Sequence, residues 1–417
     1  TLVSMSTTRK LILANIHGVD KPGVTAELTA ILAKHNAFIL DIGQADIHNN
    51  LSLGILFQTD ESHSGSILKD LLFKSYELDV TVRFEPITEE AYSEWVGMQG
   101  RNRYIITVVA RKITAEMIAG IARSSAEQGL NIDDIKRLTG RIPLNETDRS
   151  PKASVEFSMR GTPTDIEKLQ RNFMEMASQL NMDISFQRES MFRRMRRLIC
   201  FDMDSTLIQT EVIDELAIRA GVGDRVKAIT ESAMRGEIDF TESFRQRVAL
   251  LKGLDVSVMQ EIAESLPITE GVERLMKILK MVGFKIAILS GGFMYFGNYL
   301  AKKFGIDYVY ANELEVKDGK LTGRYVGEVV DGRRKAELLK LIAQVEKIDL
   351  MQTVAVGDGA NDLPMIGLAG LGIAFNAKPK VKATAQQSLS TVGLDGVLYF
   401  LGYKDSHIDD ELLTEKL

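Results

Sequence analysis

The 417-residue sequence predicts an α/β chain: a doubly wound parallel sheet with a helical insert, preceded by two small α+β domains of order βαββαβ. Three observations carry this. Residues 10–187 run twice through one strand–helix–strand–strand–helix–strand order, a repeat too long for a solenoid unit and right for two small domains. From Arg197 onward, short β-branched runs alternate with helices, the pattern of a parallel sheet. Between the first two of those runs, residues 211–265 are almost wholly helical in pattern.

In the first copy, 10–16 reads as a strand and 22–35 as an amphipathic helix with Pro22 in its first turn. Residues 37–47 and 51–58 read as strands joined across an Asn49–Asn50 turn, then a helix at 64–76 and a strand at 78–84. The segment 88–102 links the copies. The second copy reads as a strand at 103–110, a helix at 114–128, strands at 131–138 and 152–159, a helix at 164–180 and a strand at 182–187. A polar loop is expected over 139–151. In the last part, 198–204, 284–292, 306–311, 351–359 and 370–375 are the strand runs. The expected domains are 10–88, 101–189 and 197–403, with a helical cap at about 209–270 inside the third.

Bulk properties narrow the function. A formal charge of -6 argues against nucleic-acid and anionic-membrane surfaces, which reward a basic footprint, so small molecules or other protein chains are the expected partners. The basic run 193–197 reads as a solvated or paired junction rather than a nucleic-acid patch. A single cysteine, Cys200, cannot form an internal disulfide, and its place in a strand makes it a core thiol, as a reducing cytoplasm allows. No run is long and apolar enough for a membrane span, and the first ten residues lack the apolar stretch of a signal peptide; Met5 reads as the natural start. The five histidines lack tight metal-ligand spacing and none reads as catalytic. The acidic tail 405–417 is expected to be mobile.

Three strand runs end in polar groups: Asp202 and Asp204, Ser290 with Gly291, and Asp358 with Asp362. In open α/β sheets, ligands bind at these carboxyl ends. Converging carboxylates repel unless a cation sits among them, and an all-oxygen set suits Mg²⁺. An aspartate can also attack phosphorus and form an acyl-phosphate, which puts phosphoryl transfer first among candidate reactions. Lys335, near a helix start, supplies the point charge that screens a carboxylate from an incoming phosphate dianion. Ser290 and the neighbouring amides can hold phosphate oxygens. Each feature alone also has a plain structural reading, as a helix cap or a turn. Their joint placement at successive strand ends favours a site.

"DMDSTLI", "LSGGF", Lys335 and "VGDGANDLPM" resemble, in order, the four motifs of the haloacid dehalogenase superfamily, whose fold is a Rossmann-like parallel sheet with a cap. With "FRQRVALLKG" they resemble more narrowly the phosphoserine phosphatase family, over 197–403. The resemblance implies hydrolysis of O-phospho-L-serine, the last step of serine synthesis. It makes Asp202 the nucleophile and Asp204 the general acid and base. It assigns Asp202, Asp358 and the carbonyl of Asp204 to Mg²⁺. Ser290, Gly291 and Lys335 would hold the phosphoryl group, with Asn361 nearby and Asp362 in support. In the cap, Glu211 and Arg247 would grip the substrate's ammonium and carboxylate, and a forked guanidinium suits that carboxylate. Met234 and Phe240 would form an apolar lid.

The N-terminal copies resemble ACT domains, ferredoxin-like βαββαβ modules that bind amino acids and pair between chains, which implies a homodimer. In the first, Gly18, Asp20 and Gly23 of "HGVDKPGV" are candidate residues for a regulatory amino acid, although the same turn can serve the fold alone. The second, "ARKITAEM", lacks glycine and proline there, which points to a structural or dimerising role. Two other functions stay open: a related phosphatase or phosphotransferase acting on another small phosphomonoester, and an amino-acid-sensing binding protein.

Overall fold

The computed structural model describes residues 9–98, 102–141, 144 and 151–408. Most of the expected loop at 139–151 and of the acidic tail lies outside them. The chain forms two compact units, Thr1–Arg101 and Asn102–Leu417.

In the first unit, β1 (Arg9–Val19), α1 (Val24–Lys34), β2 (Phe38–Ile47), β3 (Asn50–Asp60), α2 (Glu61–Glu77) and β4 (Val80–Ile87) form an antiparallel sheet of order β2-β3-β1-β4. Alternate residues of β1 and β3, among them Ile12, Ala14, Ile16, Leu53, Ile55 and Phe57, pack with Leu28 and Leu32 of α1 and Ile67 and Leu71 of α2 into one core. Helix α1 starts at Val24 and is capped by Gly23 at φ 98, so Pro22 precedes the helix instead of lying in its first turn. The β2–β3 turn is His48–Asn49, one residue earlier than expected, and both carry positive φ, as a tight hairpin turn demands. The link contains a helix the sequence reading did not assign, α3 (Glu89–Gly97), capped by Thr88, whose hydroxyl accepts from Ala91 N.

The second unit opens with the same topology: β5 (Arg103–Ala110), α4 (Ala115–Glu127), β6 (Asn131–Arg137), β7 (Ala153–Arg160), α5 (Ile166–Leu180) and β8 (Asp183–Arg188), in sheet order β6-β7-β5-β8. It continues into β9 (Leu198–Phe201), α6 (Val212–Arg219), α7 (Gly223–Met234), α8 (Phe240–Ala249), α9 (Ser257–Glu264), α10 (Val272–Met281), β10 (Lys285–Phe293) and α11 (Met294–Phe304). Then come β11 (Tyr308–Lys317), β12 (Lys320–Val326), α12 (Gly332–Val345), β13 (Thr353–Gly357), α13 (Leu363–Leu368), β14 (Leu371–Phe375), α14 (Pro379–Thr384), β15 (Gln387–Leu389) and α15 (Val397–Phe400).

The large sheet has the order β12-β11-β10-β9-β13-β14-β15, parallel except for β12. Strand β9 lies between β10 and β13, and its alternate residues enter two cores. Ile199 and Phe201 face one cluster, Leu198 and Cys200 the other. Both faces of a parallel sheet are covered in this way. Burial accordingly pushes the Cys200 thiol up. The β11–β12 hairpin was not expected. Its turn is Asp318–Gly319, both at positive φ, and the strands pair from Lys317–Lys320.

The second βαββαβ domain is bonded into the large sheet's body. The Gln387 side chain of β15 accepts from Phe186 N at 2.9 Å and donates to Phe186 O at 2.8 Å. The buried Asp183 carboxylate accepts from Ser390 N, Thr391 N and the Thr391 hydroxyl. Val109 and Leu138 join the main core. No helix among the described residues is long and apolar enough to cross a membrane.

Candidate active site

Parallel pairing sets the level of the site. Phe201 is in register with Ile288 of β10 and Val356 of β13, so the residues one to three places further along these three segments meet at one edge. There Asp202 N donates to Val356 O at 2.9 Å, and the Asp202 carboxylate accepts from Met203 N at 2.8 Å. The chain then turns sharply through Ser205 at φ 59, a strained position for a residue with a side chain. The turn is held by Ser205 N donating to Thr210 O and by the Ser205 hydroxyl donating to Glu211 at 2.6 Å.

Lys335 lies on the first turn of α12, whose cap, Asp331, accepts from Arg334 N. Its ammonium reaches Asp362 at 2.7 Å and Asp202 at 3.0 Å, and the side chain is fully buried. Burial alone would lower its pKa; Asp202 and Asp362 reverse this and hold it above the usual lysine range. Asp362 also accepts from Gly359 N at 2.9 Å, so both its oxygens are engaged. Asp358 accepts from the Thr206 hydroxyl at 2.9 Å. Ser290 is buried, with its hydroxyl accepting from Gly292 N at 2.9 Å.

A cavity of about 120 Å³ is bounded by Asp202, Asp204, Ser290, Gly291, Asp358 and Asn361 on the sheet side and by Glu211, Phe240 and Arg247 on the cap side. A single buried water needs roughly 10–15 Å³ of such space, so the cavity can take more than one water, and its charged lining suits a small polar molecule. Phe244 and Phe293, 6.0 Å apart between ring centres, form part of its apolar wall.

Electrostatically the carboxylates of the site, Asp202, Asp204, Glu211, Asp358 and Asp362, outnumber the cations Lys335 and Arg247. Burial pushes Asp202 well above the usual carboxylate range, Asp362 and Asp358 add to the shift, and Lys335 opposes it. Asp204 is raised in the same way by burial, Glu211 and Asp202, and its Oδ1 is buried without a hydrogen-bond partner. Asp358 is pushed up to about 7 by burial and by Asp362. Asp202, Asp358 and Asp362 each bring an oxygen within 4.8 Å of the others. Such all-oxygen, under-neutralised donors fit a hard divalent cation.

The chain has relatives in two known families. The haloacid dehalogenase-like hydrolase family matches residues 196–370 and the ACT domain family residues 10–85. The phosphoserine phosphatase SerB2 of Mycobacterium tuberculosis is 38% identical over 402 residues, covering 95% of this chain and 94% of its own. A phosphoserine phosphatase of Streptomyces coelicolor is 38% identical over 399 residues, with 95% and 93% covered. The chain belongs to the phosphoserine phosphatase family. Among solved structures, a probable phosphoserine phosphatase from Vibrio cholerae is 34% identical with a TM-score of 0.57, covering 75% of this chain and 89% of its own. A haloacid dehalogenase family hydrolase from Salmonella enterica is 28% identical with a TM-score of 0.60, covering 71% and 98%.

In this phosphoserine phosphatase family member, Asp202, Asp204, Asp358, Ser290, Gly291, Asn361, Glu211, Phe240 and Arg247 all border one cavity, and Lys335 and Asp362 lie directly behind it. Met234 does not border it. Helix α7 ends at Met234, Gly236 at φ 77 turns the chain, and 71% of the side chain stays exposed. In the first unit, Gly18 sits where a Cβ would lie 2.7 Å from Val80, so its smallness serves β1–β4 packing. Asp20 N donates to Asn49 O across the hairpin end.

Three roles escaped the sequence reading. Thr206 orients Asp358. Asn312, 2% exposed and opposite Phe293 where the β10–β11 register shifts, donates to Gly291 O and accepts from Val330 N, both at 2.8 Å, and so fixes the turn at Gly291. Gly292 leaves room for the acid, since a Cβ there would come within 2.9 Å of Asp204 Oδ2. Asn312 follows a strand run as the predicted residues do, and that position was the available signal.

Proposed function

We propose that the chain hydrolyses O-phospho-L-serine to L-serine and phosphate, the last step of serine biosynthesis, through an aspartyl-phosphate on Asp202. The observation that carries this is the division of one cavity: an anion and a guanidinium, Glu211 and Arg247, on the cap side, and the Asp202–Asp204–Ser290 group on the sheet side. A phosphorylated amino acid has an ammonium and a carboxylate for the first pair and a phosphoryl group for the second. The names of the full-length relatives support the substrate.

The Asp202 carboxylate attacks phosphorus, and the bond from phosphorus to the seryl oxygen breaks. Asp204, kept protonated by burial and by its acidic neighbours, gives its proton to that oxygen. As a carboxylate it then takes a proton from water, whose oxygen attacks the acyl-phosphate and releases phosphate and the free Asp202 carboxylate. Ser290 and the turn at Gly291 hold the phosphoryl oxygens, with Asn361 beside them, and Lys335, behind the cavity against Asp202, offsets their charge. Phe240 and the aromatic wall keep water out during transfer. Asp202, Asp358 and the carbonyl of Asp204 would hold Mg²⁺, with Asp362, already engaged by Lys335 and Gly359, as support. The ion would keep Asp202 ionised and offset charge on the phosphoryl group.

The cellular setting that goes with this reading is a reducing cytoplasm. The first unit is proposed to bind an amino acid near Asp20 and Gly23, and its strand edges to pair in a homodimer.

Phosphate release from a panel of phosphomonoesters, with and without chelator, tests the activity. Phosphoserine should be preferred and chelator should stop turnover. Preference for another ester would move the substrate, and no release from any would leave a binding protein.

A further inference from the structure

The cap leaves and rejoins the sheet domain through a short two-stranded ribbon. Gln209 N donates to Pro267 O at 2.8 Å, Thr269 N donates to Leu207 O at 3.0 Å, and Ile208 bridges Ile268 antiparallel. A change in cap position must turn about this ribbon, because it carries both connections.

The residue that follows the ribbon is gripped by the second βαββαβ domain. Arg111, just past β5, donates from Nη1 to Glu270 Oε1 at 3.0 Å and from Nη2 to Oε2 at 2.9 Å. A two-pronged pair fixes orientation as well as distance. The next residue, Gly271, has φ 85, and a Cβ there would collide with the Asp395 carboxylate. Glu270 O accepts from Leu394 N at 2.7 Å. Asp395 is fully buried, and its charge is met by Lys152, in the connection leading into β7, and by Arg274 at 3.1 Å. Arg274 continues to Asp405, which accepts from Gly140 N at 2.8 Å. One domain therefore sends two cations, Arg111 and Lys152, to residues 270–271 and to the carboxylate beneath them.

We propose that the second ACT-type domain clamps the cap hinge, with Arg111 and Lys152 as positioning residues. They hold the ribbon at the angle that brings Glu211 and Arg247 over Asp202. The clamp rests on the proposed function only in that substrate binding requires the cap. A domain whose turn lacks the glycines of the first copy thus acts on the reaction through one salt link to the hinge, Arg111–Glu270, and one to the carboxylate beneath it, Lys152–Asp395.

The test uses the full chain and the variants Arg111→Ala, Arg111→Lys, Lys152→Met and Arg111→Ala/Glu270→Ala. The readouts are amide hydrogen exchange over 206–210 and 266–271, thermal melting, and KM and kcat for phosphoserine. Arg111→Ala should speed exchange in both segments and raise KM roughly two- to fivefold, the factor expected of a part-exposed ion pair, with kcat kept. Lys152→Met should change exchange and KM in the same direction. Arg111→Lys should recover part of the loss, and the double variant should be no worse than Arg111→Ala. Exchange and KM at wild-type values would overturn the clamp, as would a fall in kcat that tracks melting with KM unchanged. If the unaltered chain does not turn over phosphoserine, the substrate reading fails, while hinge exchange still decides the clamp.

Discussion

Lys335 donates to Asp362 at 2.7 Å with both side chains wholly buried. The same ammonium reaches Asp202 at 3.0 Å, so removing Lys335 leaves two buried carboxylates without the cation they share, which costs about 3–5 kcal/mol. Lys335→Met should therefore lower unfolding free energy by about that amount in urea melts. A loss under about 1 kcal/mol would mean the pair is worth no more than an exposed one.

Arg247 is proposed to select the substrate by its carboxylate. Burial lowers its pKa while Asp214 and Glu211 oppose the shift, so the guanidinium is held charged among acids at the cavity wall. Arg247→Ala should cut kcat/KM for phosphoserine roughly 10- to 100-fold, the loss of one charge-assisted bidentate contact, and spare an aryl phosphate without a carboxylate. Equal losses on both substrates would make Arg247 structural.

Cation binding should release protons. Asp358 is pushed up to about 7, so below that pH it is protonated and must lose its proton to become a ligand. Calorimetry in buffers of different ionisation enthalpy should show proton release on adding Mg²⁺, larger at pH 6 than at pH 8, and affinity falling as pH falls. Release that is zero at both values would contradict the proposed ligands.

The two N-terminal copies should respond differently to deletion. The first unit has its own core, whereas the second copy shares Val109, Leu138, Asp183 and Gln387 contacts with the sheet domain. Removing residues 1–101 should leave melting of the remainder within a few degrees of the parent's. A chain starting near Arg194 should melt lower by a clear margin or precipitate. Equal melting of both truncated chains would contradict this division.

The catalytic edge was legible because its residues follow strands. Asp202, Ser290 and Asp358 each end an apolar run, and parallel neighbours place run ends together without any knowledge of side-chain packing. Cap residues obey no such rule. Met234 and Phe240 lie six positions apart in sequence, yet the turn at Gly236 leaves one exposed and the other on the cavity. The β11–β12 hairpin was readable from Asp318–Gly319, but a strand in an α/β pattern is expected to be followed by a helix, and that expectation hid it. Arg111 and Glu270 meet across 159 positions with no local signal in either segment.

The account turns on Asp202 forming a bond to phosphorus taken from phosphoserine. Rapid acid quenching of the enzyme with phosphorus-labelled O-phospho-L-serine, followed by peptide mapping, reads this directly. The account predicts an alkali-labile label on the peptide containing Asp202, with neither label nor turnover in Asp202→Asn. Normal turnover with the label on another residue, or Asp202→Asn activity near that of the parent after deamidation is excluded, would contradict it.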